Sequence, residues 1–369
     1  MIKKAYLNEY KKIYKHKKIS VGIIGCGRIF KKHYEVISNI KILEIVAVCD
    51  SDIKVFKKIN YIQNFKKIKK YTNIHNFLQN EKLDICVICT PTGLHPKHAI
   101  LASNFVKNII LEKPISTSLK QAYELINIIK KRKCKIFLVK QNRLNKAIIF
   151  LKNLLENKKL GKIKLITTRV RWSRGLSYFK QANWRGKWKS DGGVLANQAS
   201  HHLDLLLWLV GSKIDTVSAL STRVVDKIEA HDTVIGNIKF KNNVIANVEA
   251  TTGALPKNLE GSISVFGQKG SLIIGGNSVN ILQHAFVNNK QLKNKNIYSE
   301  FPEDVYGLGH KRFYNIILKS LKNKTKNYFS LESSMHTIEL IHAMYKSAKY
   351  KKTINFQKNK KNYFNEIEN

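Results

Sequence analysis

Three groups of residues in this chain have the types and spacings that chemistry needs. The first is Gly25-Cys26-Gly27-Arg28-Ile29-Phe30, which ends an apolar run as a G-x-G-x-x-G turn with Phe30 in place of the third glycine. Gly25 and Gly27 would allow the tight turn and let a pyrophosphate approach the backbone of Arg28 and Ile29 at a helix N-terminus, where N–H groups and the dipole favour anions. The third glycine serves only close helix–sheet packing, so its loss leaves the anion site standing. Asp50 ends the next apolar run, about twenty residues past the turn, where a carboxylate accepts from both adenosine ribose hydroxyls and repels a 2′-phosphate. The dinucleotide expected here is therefore NAD and not NADP. The plain alternative, a glycine-bearing turn beside an unrelated aspartate, leaves the agreement of strand, turn, helix and acid to coincidence.

The second group is Thr90-Pro91-Thr92-Gly93-Leu94-His95 together with Glu112-Lys113-Pro114, each following a short apolar run. Ligands of open α/β sheets bind beyond the carboxyl ends of strands, so both segments would border one crevice. Thr90, Pro91, Thr92, His95, Glu112 and Lys113 are thus candidate cofactor contacts. Pro114 keeps Lys113 out of the helical region, which fits a rigidly aimed amine, although spacing alone reads it as one more solvated lysine. The third group runs from Asp191-Gly192-Gly193 to Asn197 and Ser200-His201-His202-Leu203-Asp204. On a helix His201 and Asp204 share a face and His202 turns away. Zinc would need further ligands at matching spacing, so no metal is expected; the competing reading of His201 is a satisfied structural histidine.

These residues need an α/β scaffold, and the periodicity supplies one. Apolar runs at 19–25, 43–50, 83–91, 108–112 and 135–140 alternate with helical stretches, the last of which opens with the capping box Ser118-Leu119-Lys120-Gln121. Strands apolar on both faces and separated by helices make a parallel sheet covered on both sides, so residues 19–142 read as a Rossmann dinucleotide-binding domain. Beyond it, a helix near 145–157 precedes closely spaced period-two strands at 162–172, 215–224, 232–240, 243–252, 261–266 and 271–274. That pattern makes residues 143–352 an α+β domain with a largely antiparallel open sheet. Helices at 201–210, 309–321 and 331–348 are expected to cover one face of it, leaving the other for a second subunit. Residues 1–18 form a basic N-terminal segment and 353–369 a polar C-terminal tail.

The composition sets outer bounds. The chain has 369 residues, 43% of them hydrophobic, and a net charge of +41. A disordered or collagen-like chain is excluded by that apolar content and by only 19 Gly and 5 Pro. The excess charge is mostly lysine, scattered with Asn and Ile over solvated positions, so no specific nucleic-acid partner is expected; that reading would predict steeply salt-sensitive DNA binding. Five unpatterned cysteines, the absence of a membrane-length apolar run and an N-terminus without a signal-like core point to the cytoplasm.

Taken together, the turn, Asp50, Thr90-Pro91, Glu112-Lys113-Pro114 and Gly192-Gly193 leading to His201 resemble the Gfo/Idh/MocA family of sugar oxidoreductases over about residues 19–350. Val139-Lys140-Gln141-Asn142-Arg143, Arg169-Val170-Arg171-Trp172, Trp184-Arg185-Gly186-Lys187-Trp188, 197–204 and 255–262 are similar to its bacterial subgroup that acts on UDP-linked N-acetylglucosaminuronic acid in lipopolysaccharide O-antigen synthesis. The resemblance implies NAD-dependent oxidation of the sugar 3-hydroxyl to the 3-keto sugar, a homotetramer, and a 2-oxo acid such as 2-oxoglutarate as a re-oxidant. It also implies that Lys113 is the family's lysine and His201 its active-site histidine. Many relatives carry Asp four residues before that histidine where this chain has Asn197.

Hydride leaves carbon only as the hydroxyl proton is removed, which requires a base in reach. His201 is read as that base and Lys113 as the group stabilising the developing alkoxide, with the reverse assignment open. Lys113, Asn197 and His201 would touch the sugar. Arg143, Arg171, Arg174 and Arg185 are candidates for its diphosphate or carboxylate, since planar forks suit such anions. The alternatives are a dehydrogenase of another nucleotide sugar or free polyol, and a non-catalytic NAD or sugar-nucleotide sensor.

Overall fold

The computed structural model describes residues 18–62, 64–302, 306–323 and 329–356; nearly all of the basic segment and most of the polar tail lie outside them. Six strands, β1 (Ile19–Ile24), β2 (Leu43–Cys49), β3 (Lys69–Tyr71), β4 (Ile85–Ile88), β5 (Asn108–Leu111) and β6 (Lys135–Leu138), form a parallel sheet ordered β3-β2-β1-β4-β5-β6. Every residue of β4 is buried, as a sheet covered on both faces requires. Helices α1 (Phe30–Ser38), α2 (Ile53–Lys58), α3 (Ile74–Asn80), α4 (His95–Ala102) and α5 (Leu119–Lys131) connect the strands in turn. The Ser118 hydroxyl caps α5 by accepting from the Gln121 N–H at 3.3 Å. Strand order reverses between β1 and β4, which opens a crevice at their carboxyl ends.

After α6 (Lys146–Glu156), the chain builds a nine-stranded sheet from β7 (Ile163–Arg171), β8 (Ile214–Thr222), β9 (Thr233–Phe240), β10 (Ile245–Thr251), β11 (Glu260–Gly267), β12 (Gly270–Gly275), β13 (Ile281–Val287), β14 (Lys290–Gln291) and β15 (Ile354–Asn355). Its order is β14-β13-β12-β11-β7-β10-β9-β8-β15, and every neighbouring pair is antiparallel except β7 with β10. Burial alternates along β9 and β10, so one face is core. The other face exposes Leu220, Ile235, Ile245 and Phe266. Short helices α7 (Leu176–Lys180) and α8 (Gly193–Asn197) lead into α9 (Ser200–Val210), and α10 (Gly309–Asn323) and α11 (Glu332–Tyr350) follow the sheet.

Two expectations change. The sheet continues beyond Ile274 into β13 and β14, and β15 carries the second domain past residue 352 into the expected tail. Helix α10 does not cover the antiparallel sheet: Phe313, Tyr314, Ile317 and Leu318 pack with Val21, Ile23, Phe30 and Tyr34 of the first domain. Helical periodicity shows that a face is apolar but carries no information about which sheet it meets. The five cysteines are buried and free.

Candidate active site

The glycine-rich turn has the shape an anion needs. Gly25 has φ +93°, and a Cβ there would lie 2.7 Å from the Cys89 carbonyl carbon, so only glycine lets β1 end this close to β4. A Cβ on Gly27 would meet nothing within 4 Å, which places open space against that backbone. Helix α1 starts after Ile29 without a side-chain cap, so a ligand can take its first N–H groups. Asp50 is pinned to the turn: one carboxylate oxygen accepts from the Cys26 N–H at 2.7 Å and the other from the Asp52 N–H at 3.0 Å. Phe30, in the third glycine's place, is fully buried against Tyr34 and Phe65 and fills core instead of crowding the turn. This arrangement fits a bound dinucleotide.

His95 sits between the two strand-end segments, its Nδ1 2.7 Å from the Pro114 carbonyl and its Nε2 2.8 Å from the Thr90 carbonyl. Burial pushes its pKa down, and the ring acts as a brace between the loops rather than a surface group. The Thr90 hydroxyl lies 3.1 Å from His98 Nδ1, and Thr92 is buried.

Glu112 is buried beneath Lys113. Its Oε1 lies 2.8 Å from His33 Nε2, whose Nδ1 is 2.7 Å from the Tyr314 hydroxyl, and its Oε2 accepts from the Lys113 N–H at 3.1 Å. Burial would raise the carboxyl, but the His33 hydrogen bond and the neighbouring His33, His310 and Lys113 hold it at about 2. His33, Glu112 and His310 bring ligand-capable atoms within 4.8 Å of one another. The His33–Glu112 contact has hydrogen-bond length, shorter than the ~3.3 Å separating two ligands of a tetrahedral zinc, so these two are joined by a hydrogen bond, and His310 stands edge-on to the His33 ring at 5.5 Å.

Opposite, Gly192 and Gly193 both take positive φ, and a Cβ on Gly193 would lie 2.5 Å from the Tyr345 hydroxyl. This tight turn aims α8 so that the Asn197 carbonyl accepts from Lys113 Nζ at 2.6 Å. The Asn197 amide donates to Asp191, which also accepts from the Gly186 N–H at 2.9 Å. Burial raises Asp191 to about 6 against the lowering pull of Gly186, Asn197, Arg185 and Lys113. Burial also lowers the Lys113 amine, opposed by Glu112 and Asp191 and reinforced by Arg174. His201, one residue into α9, stands 3.0 Å from Gln141 Nε2. An amide nitrogen only donates, so His201 Nε2 carries its lone pair there. Burial and then Lys113 push the ring well below the ordinary histidine value, against Glu112 and Asp204, so it is neutral. His202 is buried edge-on to Trp172, turned away as its helical position requires.

The arginines divide. Arg143 is buried, donating from Nε at 2.6 Å and Nη2 at 2.7 Å to Asp204, so its fork is spent inside the protein and does not face a diphosphate as the sequence reading expected. Arg171 is paired with Glu249 and Glu260 on the sheet. Arg174 and Arg185 instead lie over the Tyr178 ring, at 5.2 and 4.0 Å from its centroid, and Arg28 of the glycine-rich turn joins them at 5.6 Å. Arg174 also donates to Asn258 Oδ1 at 2.9 Å.

The oxidoreductase-family profile for an NAD-binding Rossmann fold matches residues 19–140, and that for its C-terminal alpha/beta domain matches residues 152–356, both of the Gfo/Idh/MocA group. The chain belongs to the Gfo/Idh/MocA oxidoreductase family. This Gfo/Idh/MocA protein is similar to the WlbA dehydrogenase of Bordetella pertussis in complex with NADH and UDP-GlcNAcA, with 29% identity, a TM-score of 0.83, and 92% of this chain and 98% of that one covered. The WlbA dehydrogenase of Chromobacterium violaceum, in complex with the same two ligands, gives 31% identity, the same TM-score of 0.83, and coverage of 92% and 96%. The myo-inositol 2-dehydrogenase of Thermotoga maritima is 24% identical over 68% of this chain and 74% of its own.

As a Gfo/Idh/MocA member the chain is an NAD-dependent oxidoreductase, and its two domains are the family's Rossmann and α/β units. Gln141, Asp191, Tyr178 and the His33–Tyr314 pair are site residues that sequence reasoning did not single out. Asp191 adjoins the Gly192-Gly193 signal and Gln141 lies in the Val139–Arg143 segment, so both were within reach. His33 and Tyr314 carry no local signal, being 281 residues apart.

Proposed function

We propose that this enzyme oxidises the 3-hydroxyl of UDP-N-acetylglucosaminuronic acid to the 3-keto sugar for bacterial lipopolysaccharide O-antigen synthesis. The observation carrying this reading is the cluster of Arg28, Arg174 and Arg185 around Tyr178, close enough to Lys113 for Arg174 to lower its pKa. A substrate with a diphosphate, a uronate and an oxidisable hydroxyl needs such a cationic patch beside a proton-transfer pair; a free polyol does not. The similarity to two WlbA dehydrogenases with NADH and UDP-GlcNAcA bound supports it.

NAD, when bound, accepts the hydride. Lys113, anchored on the Asn197 carbonyl, orients the hydroxyl and stabilises the developing alkoxide, while the neutral His201 takes its proton. Gln141 serves both states of that ring: its Nε2 donates to the free lone pair, and its Oε1, which has no partner among the described residues, accepts after an amide rotation once Nε2 is protonated. Arg174 and Arg185 bind the diphosphate or the uronate, and Asn197 contacts the sugar. A 2-oxo acid re-oxidises bound cofactor, and the exposed Leu220, Ile235, Ile245 and Phe266 face packs against another subunit of a homotetramer.

Purified enzyme given NAD and the UDP-uronate should reduce the nicotinamide, followed by its absorbance. No reduction with that sugar, but reduction with myo-inositol or glucose, would refute the substrate assignment.

A further inference from the structure

Oxidation of a hydroxyl to a ketone sends a hydride to the nicotinamide and frees one proton per turnover, and that proton must leave the half-buried Lys113–His201 pair. His201 holds it poorly, because burial and Lys113 depress its basicity. Directly behind the pair lies a cavity of about 20 Å³, lined by Lys113, His201, Lys140, Asp204, Ser200 and Thr337. That is room for one water molecule. The Ser200 and Thr337 hydroxyls are buried and have no hydrogen-bond partner among the described residues, so the cavity offers polar groups for such a water.

On the cavity's far side stands Lys140, with only 2% of its surface exposed. Its Nζ lies 3.1 Å from Asp204 Oδ1 and donates to the Ser333 hydroxyl at 2.8 Å. Ser333 is exposed on the first turn of α11, so this amine touches both the cavity and a group in contact with solvent. Resting on the dehydrogenase reading above, we propose that a water in this cavity and the Lys140 amine carry the reaction proton from the Lys113–His201 pair to Ser333 and bulk solvent. The hydroxyl O–H bond breaks toward the catalytic base, the base hands that proton to the water as the water passes one of its own to the neutral Lys140 amine, and the resulting ammonium releases one through Ser333. No charge accumulates, because each proton entering Lys140 is matched by one leaving.

The charged and titratable groups around Lys140 suit this traffic. Asp204 stabilises its ammonium, Arg143 opposes it, Lys113 and His201 border the cavity, and His336, paired with Glu339, lies along α11. Burial is the largest influence, and the amine is lowered to about 8, within reach of working pH. Asp204 is held well within the ionised range by Lys140 and Arg143, so it is a fixed counter-charge and not part of the relay.

The test exploits the difference between charge and transferable proton. Arg at this position keeps the Asp204 pair but does not give up its proton. Lys140→Met and Lys140→Arg should both lower kcat at least about tenfold with KM for the sugar nearly unchanged, and both should lose the kcat inflection near pH 8, with methylamine restoring part of the rate to Lys140→Met. If Lys140→Arg restores activity, or if both variants keep the wild-type pH profile, Lys140 is structural and the relay is overturned. Wild-type enzyme showing no turnover refutes the substrate reading by itself. The relay is then judged on the free protein, where the [15Nζ]lysine resonance missing from Lys140→Met must titrate near pH 8; an amine charged up to the ordinary lysine value of about 10.4 overturns it.

Discussion

Two cationic clusters of this chain do opposite work. Around Asp204, Arg143 and Lys140 are buried and meet a carboxylate, so every charge has a partner within the fold. Around Tyr178, Arg28, Arg174 and Arg185 meet an aromatic ring and backbone or amide oxygens; none of them forms an ion pair among the described residues, and Asp191 acts on Arg185 only from beyond ion-pair distance. A guanidinium with a carboxylate partner holds structure together; a guanidinium stacked on tyrosine keeps its charge for an incoming anion. The sequence presents all of these as equivalent arginines.

Four outcomes would break or sharpen that contrast, the largest first. Asp204→Asn leaves two buried cations short of their counter-charge and should cost about 3–5 kcal/mol of stability in urea unfolding. An effect confined to KM would mean that Asp204 faces substrate. Glu112 is the other buried carboxylate held by partners, and its folded pKa of about 2 lies below the ordinary 4.5. A depressed acid adds stability above its unfolded value, and that contribution is lost as pH falls from about 4.5 to 2, on the order of 3 kcal/mol. Melting curves of Glu112→Gln across that window should therefore be flatter than those of the wild type; equal slopes would contradict the wiring through His33.

Arg174→Met should raise KM for the UDP-sugar ten- to a hundredfold, corresponding to about 1.5–3 kcal/mol for a charged hydrogen bond, with the melting temperature little moved. A large fall in melting temperature with KM intact would put Arg174 in the same class as Arg143. The smallest effect belongs to Arg28→Ala, an exposed stack worth about 0.5–1 kcal/mol, which should show as a two- to fivefold rise in KM that shrinks with added salt.

The first domain was readable because each of its signals is local. Strand, turn and acid follow one another from Ile19 to Asp50, and the Ser118 cap sits three residues from its partner. Lys113 and His201 were legible as residues, but their meeting depends on the Gly193 turn and the Asn197 carbonyl, which only the fold brings together. What could not be read was the sorting of like residues by long-range partners. Arg143 is decided by Asp204, 61 positions away, and α10 by a sheet made of residues hundreds of positions earlier. Edge strands of two residues, such as β14 and β15, lack enough sequence to show a period.

Helix α10 also sets a schedule for the growing chain. The apolar surface around Phe30, Tyr34 and Phe65 is complete early, but Tyr314, which closes over His33, emerges 281 residues later. At ribosomal speeds this is a delay of roughly 15–60 s. Through that interval the nascent dinucleotide domain carries an uncovered hydrophobic flank and a Glu112 whose His33 partner lacks its Tyr314 support. Chaperone capture and self-association compete for that flank until the last quarter of the polypeptide arrives.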